Sequence, residues 1–137
     1  MRIVLDTNVL VSALLTPHGP PGRLLDLVLA GKVRLLLDDR IADEYRAVLL
    51  RPRLGFDGAD VAALLAFLAA ESEWVAAATV RVKLSDPGDE PFAEVAIAGG
   101  ADYLVTGNAR HFPASRLPEG PRVATPTDAL AAVMRGR

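Results

Sequence analysis

Three apolar residues, Ile3-Val4-Leu5, run directly into Asp6-Thr7-Asn8, and this junction limits the fold more than any other stretch of the chain. A short apolar run rich in β-branched residues, with no polar member to face water, predicts a strand covered on both faces, as in parallel sheets. Asn8 to Leu15 then reads as an apolar helix, so Asp6 stands where strand becomes helix. In open parallel sheets ligands collect outside the carboxyl ends of the strands, which makes an acid at that point a candidate for chemistry. The plainer alternative is an acid that only caps the following helix. The rest of the chain has to decide between them.

Thr16 to Gly22 is a loop rich in Pro and Gly, and Pro21 is suited to open a helix over Arg23 to Ala30 that Gly31 ends. Val33 to Leu37 is a second strand. Asp38 and Asp39 cap a helix whose apolar stripe is Ile41, Tyr45, Val48 and Leu49, with Glu44 on its margin, on the flank of Arg40 and Arg51. An Arg40 to Glu44 pair at helical spacing would by itself be only a surface contact worth a few tenths of a kcal/mol. Pro52 ends this helix, and another begins near Asp57 with Val61, Leu64, Leu65 and Leu68 facing inward. Trp74 to Leu84 reads as extended, Val80, Val82 and Leu84 alternating with Arg81 and Lys83 as in a strand with one wet side.

Ser85 to Pro91 combines turn residues with Asp86, Asp89 and Glu90, and Pro91 suits the first turn of a helix carrying Phe92, Val95 and Ala96 inward. Gly99-Gly100 stops that helix. Ala101 to Val105 is the next buried strand and ends on Thr106-Gly107-Asn108; Val123 marks a short last strand before a capped helix from Thr125 to about Met134. This alternation predicts an α/β sandwich with a mostly parallel sheet of roughly five strands, and the 137 residues, 51% of them hydrophobic, suffice for one domain spanning 1–137. Asp6, Glu44, Asp89 and Asn108 would meet at one end of that sheet.

Gathered carboxylates repel one another unless a cation neutralises them, so this grouping implies a divalent metal. The chain has no cysteine, and its two histidines do not form a ligand pair, His18 in a loop rich in Pro and Gly and His111 beside Phe112 both reading as structural or exposed, so oxygen must supply the ligands, which points to magnesium or manganese. Formal net charge is -2, which does not advertise nucleic-acid binding, but the positive charge is nearly all Arg and is clustered at Arg40, Arg46, Arg51 and Arg53 and again at Arg110 and Arg116. Arg favours bidentate contacts to phosphate, though a scatter of Arg also makes an ordinary wet surface. No apolar stretch is long enough to span a bilayer and the chain opens on a strand instead of a signal peptide, so a cytoplasmic protein without a membrane partner is expected.

These positions, with their flanking residues, resemble the PIN domain family of metal-dependent ribonucleases. The opening Ile3-Val4-Leu5-Asp6-Thr7-Asn8, the segment Asp43-Glu44-Tyr45 through Val48-Leu49, the turn Asp86-Pro87-Gly88-Asp89 into Phe92-Ala93-Glu94, and Gly100 to Asn108 are similar to its four elements in turn. Arg51-Pro52 and the run from Thr106-Gly107-Asn108 to His111-Phe112-Pro113 most resemble prokaryotic members that act as toxins of toxin–antitoxin pairs, the VapC-like ribonucleases. The resemblance implies a three-layer α/β/α sandwich in which Asp6, Glu44 and Asp89 are the catalytic and metal-binding acids, with Asp86 and Glu90 near neighbours of the third. It implies Asn8 and Thr106 as supporting residues that orient the acids through hydrogen bonds. Asn108 departs from the pattern of a fourth acid: it keeps an oxygen but lacks the charge that would help hold a second ion.

The implied reaction is endonucleolytic cleavage of single-stranded or structured RNA by water activated on Mg2+ or Mn2+. Arg40 and Arg51 are then candidate phosphate contacts, and a homodimer and a cognate antitoxin are the implied partners. Two other classes compete. A signalling receiver domain also groups acids at strand ends but needs a Lys on a late loop, whereas the two Lys here, Lys32 and Lys83, come earlier. A PIN fold that binds RNA or a partner with weak or no catalysis is the second, on the strength of Asn108.

Overall fold

The computed structural model describes residues 1–117 and 120–136. Five strands, β1 (Arg2–Leu5), β2 (Arg34–Leu37), β3 (Glu73–Trp74), β4 (Tyr103–Val105) and β5 (Arg122–Ala124), form one sheet in the order β3-β2-β1-β4-β5. Every neighbouring pair is parallel. Side chains of successive strand residues point to opposite faces, and Ile3, Val4 and Leu5 are all at most 1% exposed. Both faces of β1 are therefore covered, which makes the fold a three-layer α/β/α sandwich with its acid-bearing strand in the middle.

Among the described residues six α-helices supply the cover: α1 (Thr7–Leu15), α2 (Pro20–Leu29), α3 (Asp39–Leu49), α4 (Gly58–Glu71), α5 (Glu90–Ala98) and α6 (Pro126–Arg135). Helix α5 packs on β1, β2 and β4, while α1, α2 and α6 pack in a row and α3 pairs with α4. No described helix is long and apolar enough to cross a membrane. Helix α2 begins three residues before the expected Arg23, because two prolines in its first turn lack only N–H groups that a helix start leaves unused. The stop at Gly99-Gly100 has two causes. Gly100 takes φ +64°, and a Cβ on Gly99 would stand 2.5 Å from Leu36 Cδ2.

The segment from Val80 to Leu84, expected as a strand, forms no ladder, and β3 is confined to Glu73–Trp74. Its alternation is nevertheless real, with Val82 and Leu84 buried and Arg81 and Lys83 exposed. The backbone N–H groups find carboxylates in place of a neighbouring strand: Val82 N–H donates to Glu94 Oε2 at 3.0 Å and Leu84 N–H to Glu90 Oε2 at 3.0 Å. Period-two burial therefore reports one covered side and says nothing of what the backbone bonds to.

Helix α3 is set against the sheet by Tyr45. The ring is buried, lies 6.4 Å from that of Phe92, and its hydroxyl donates to the carbonyl of Leu5 at 2.6 Å. Burial, followed by the charges of Asp6 and Glu44, pushes the phenol far above its ordinary value, so it remains a neutral donor. Because Tyr45 adjoins Glu44, this bond fixes the rotation of α3 that brings the acid toward β1. Tyr45→Phe should cost about 1–3 kcal/mol in chemical denaturation, since it deprives a buried carbonyl of its donor; an unchanged midpoint would mean that the hydroxyl anchors nothing.

Candidate active site

Asp6 is the N-cap of α1 and faces the carboxyl ends of β1 and β4. Its Oδ1 accepts the Thr7 N–H at 2.9 Å and its Oδ2 accepts the Thr106 hydroxyl at 2.8 Å. It therefore caps a helix, as the plain alternative held, yet half of its carboxylate is turned to a second strand end. With only 7% exposure, burial raises its pKa, the two hydrogen bonds pull it down, and Glu44 pushes it up again. Keeping this carboxylate charged costs the apo protein stability.

Thr7 is the link that the sequence analysis passed over. Its N–H serves Asp6 and its hydroxyl donates to Glu44 Oε2, so one buried residue joins two acids from different elements. Asn8, expected in that role, is exposed, and its Oδ1 meets only the Gly107 N–H, at a long 3.4 Å. Thr106 passes the arrangement onward by accepting the Asn108 N–H at 3.0 Å. The Asn108 side chain is exposed and makes no capping hydrogen bond to the turn that follows it. The only signal for Thr7 in the sequence was its place directly after Asp6.

Asp89 comes from the turn that leads into α5. Of the three neighbouring acids, Asp86 is spent on the Gly88 N–H at 2.8 Å and Glu90 on Leu84, whereas Asp89 keeps a buried Oδ2 with no hydrogen-bond partner among the described residues. His111 Nδ1 lies 3.1 Å from that oxygen without the alignment of a hydrogen bond. Burial raises the Asp89 pKa first, repulsion from Asp6 and Asp86 adds to it, and His111 partly offsets them. His111, read from sequence as structural or exposed, is brought to the acids by a 3-10 turn, Ala109–His111.

Arg40 goes elsewhere. Its guanidinium pairs with Asp38 at 2.8 Å and with the buried Glu94 at 2.7 Å, tying the start of α3 to α5 and, through Glu94, to Val82. A side chain so engaged is a structural brace, not a free cation for phosphate. Arg51 is exposed in the turn after α3. A cavity of about 680 Å3 lined by Met1, Lys32, Asp102 and Arg122 lies at the amino ends of the strands, away from the acids.

The donor chemistry suits an oxygen-seeking divalent cation: two carboxylates held above their ordinary pKa and a buried oxygen without a partner. Among the described residues, no three His, Asp or Glu side chains are arranged as they stand to hold one ion. Asp6 and Asp89 are the two acids with raised pKa values, and Glu44 is joined to Asp6 through Thr7.

Raised carboxyl pKa values have a consequence for stability without metal. The folded state holds the Asp6 proton more tightly than the unfolded state does, so the charged carboxylate opposes folding at neutral pH, and the penalty disappears as pH falls from the raised value toward the ordinary 3.8. Asp6→Asn keeps a good helix cap, and the Thr106 hydroxyl can turn to accept from the new amide. In EDTA the variant should melt above wild type at pH 7, with the gap closing toward pH 4. A lower Tm at every pH would show that the hydrogen bonds outweigh the charge.

The sequence profile of the PIN domain matches residues 2–110. Among solved structures, a chain of VapBC2 from Rickettsia felis, bound to a DNA fragment from their promoter, superposes with a TM-score of 0.57 at 15% identity, covering 91% of this chain and 98% of that one. That likeness is one of fold. An uncharacterized protein of Methanocaldococcus jannaschii is 39% identical over 54 residues, 39% of this chain and 35% of the relative, so the match spans about a third of the relative's length. Because the profile takes in four of the five strands and all three acids, Asp6, Glu44 and Asp89, the chain belongs to the PIN domain family.

Proposed function

We infer that this chain is a metal-dependent endoribonuclease whose working acids are Asp6, Glu44 and Asp89. One observation carries the reading: Asp6, held by Thr7 and Thr106, adds to the raised pKa of Asp89, whose buried Oδ2 has no hydrogen-bond partner among the described residues and only the His111 Nδ1 beside it, at 3.1 Å. A buried carboxylate oxygen met only by a poorly aligned imidazole nitrogen has room for a cation. A bound Mg2+ or Mn2+ would supply Lewis acidity that activates water and offsets the charge of the phosphate.

The chain's own groups divide the remaining work. Thr106 and Thr7 fix both oxygens of Asp6, so that its free lone pairs have one direction. Thr7 also holds Glu44 Oε2 and leaves Oε1 to orient a water or accept its proton. His111 Nδ1 stands where it can hold a proton beside Asp89. Arg51 is exposed, lines one cavity with Thr7 of α1 and makes no ion pair among the described residues, so it is available to substrate phosphate.

The competing reading, a PIN fold that binds without cutting, draws on Asn108 and on the lack of a ready three-acid cage among the described residues. The two are separated by cleavage of a mixed RNA pool with Mg2+, with Mn2+ and with EDTA. Cleavage with metal alone is expected, and Asp6→Asn should lower it more than the about 10–100-fold expected for the supporting change Thr7→Val. Metal should also raise the Tm of wild type and not that of Asp6→Asn. Metal-dependent stabilisation and RNA binding without cleavage would favour the non-cutting reading, and cleavage in EDTA would overturn the mechanism.

A toxin role with a cognate antitoxin is supported by the shared fold with VapBC2 and by the motif run from Thr106 to Pro113. A homodimer is supported by exposed apolar side chains on α1, α2 and α4, Leu15, Leu29 and Phe67. Light scattering at micromolar concentration should give twice the mass of the chain, and a monomer would remove the dimer from this account.

A further inference from the structure

A groove opens beside the acids that their chemistry does not use. Thr7 and Val11 of α1, Val48 of α3, and Arg51, Arg53 and Leu54 of the following turn line a space of about 390 Å3. Its lining is mixed in character. Thr7 donates to both Asp6 and Glu44, while Arg51 and Arg53 stand exposed. Val11, Val48 and Leu54 are half-buried and make the apolar part of the wall.

The two arginines differ from the arginines of α3. Arg40 is paired with Asp38 and Glu94, and Arg46 lies 3.9 Å from Asp43, but neither Arg51 nor Arg53 makes an ion pair or side-chain hydrogen bond among the described residues. Their backbone is nevertheless fixed. Pro52 locks the first residue of a 3-10 turn, with Leu54 N–H bonded to Arg51 O at 3.0 Å and Gly55 N–H to Pro52 O at 3.1 Å. Two free guanidiniums on a rigid turn, next to an acidic centre in a chain of net charge -2, need a reason. A cation pair there is what lets a polyanion approach carboxylates that would repel it.

We propose that this groove seats the nucleotide next to the cleaved phosphate, with Arg51 and Arg53 on backbone phosphates and the base lying against Val11, Val48 and Leu54. The proposal rests on the ribonuclease reading for the place of the cut, and it adds Arg53 and the apolar wall to the substrate site. An acidic peptide would satisfy the arginines equally well, but the groove is walled by Thr7, the residue that bonds Asp6 and Glu44, a closeness to the acids that a substrate strand requires and a docked peptide does not. Arginine forks fit phosphate, and apolar contact with a base face tolerates any sequence.

The test measures binding of a short labelled single-stranded RNA by fluorescence anisotropy in EDTA, on the Asp6→Asn background so that nothing is cut. Between about 50 and 200 mM salt, Arg51→Ala and Arg53→Ala should each flatten the slope of log Kd against log salt by about 0.7, and the double variant by about 1.4. Arg53→Lys should retain the slope. Leu54→Ser should weaken binding of the RNA and leave an abasic strand of the same length unaffected. A double variant with wild-type slope, no binding of RNA by the parent protein, or displacement-proof binding of a poly-glutamate peptide in the same groove would each overturn the proposal. Its fate is separable from that of the catalytic reading: if wild type never cuts but the slopes behave, the groove stands alone, and if it cuts while the double variant's KM is unchanged, only the groove falls.

Discussion

The carboxylate of Asp6 is buried at the end of a strand that apolar side chains cover on both sides, and the architecture around it answers that one constraint. A charge in such a place is costly unless hydrogen bonds or an ion compensate it. Thr7 and Thr106 each give one donor, one from the start of α1 and one from the end of β4, so the bonds that steady the acid also hold a helix and a strand to β1. The compensation is incomplete, since the pKa is still raised. A site that only needed to be stable would have used an uncharged residue there.

Around this acid the sheet order does the gathering. Chain connections leave β1 toward β2 on one side and return through β4 on the other, and the crevice at such a switch point is where open sheets bind ligands. Glu44 arrives because Tyr45, beside it, is bolted to the Leu5 carbonyl. Asp89 arrives because α5 lies across the three central strands and begins at this end. The shared fold therefore positions three acids with little help from contacts among the acids themselves.

Glu94 carries a different burden. It is a buried acid on α5 outside the inward set Phe92, Val95 and Ala96 expected from the sequence, and it takes both the Arg40 guanidinium and the Val82 N–H. Through it, the irregular segment before α5, α5 itself and the start of α3 form one unit. Arg40, chosen from the helical wheel as a phosphate contact, is absorbed by this brace. Arg51, past the far end of the same helix, makes no ion pair among the described residues, and that difference separates a structural from an available cation.

The sequence by itself determined the strands β1, β2 and β4, the helices with a single apolar stripe, and the acids Asp6, Glu44 and Asp89 as the residues to watch. These are local properties: a periodicity of burial, a cap or a turn residue is written within a few positions of where it acts. Only the tertiary structure decided that Thr7 and not Asn8 bonds the acids, that His111 stands beside Asp89, that Arg40 is a brace, and that the chain from Val80 to Leu84 bonds carboxylates in place of a strand. Each of these is a bond between elements far apart in sequence, and a threonine, a histidine or a glutamate looks the same in the chain whether its partner is water or another helix.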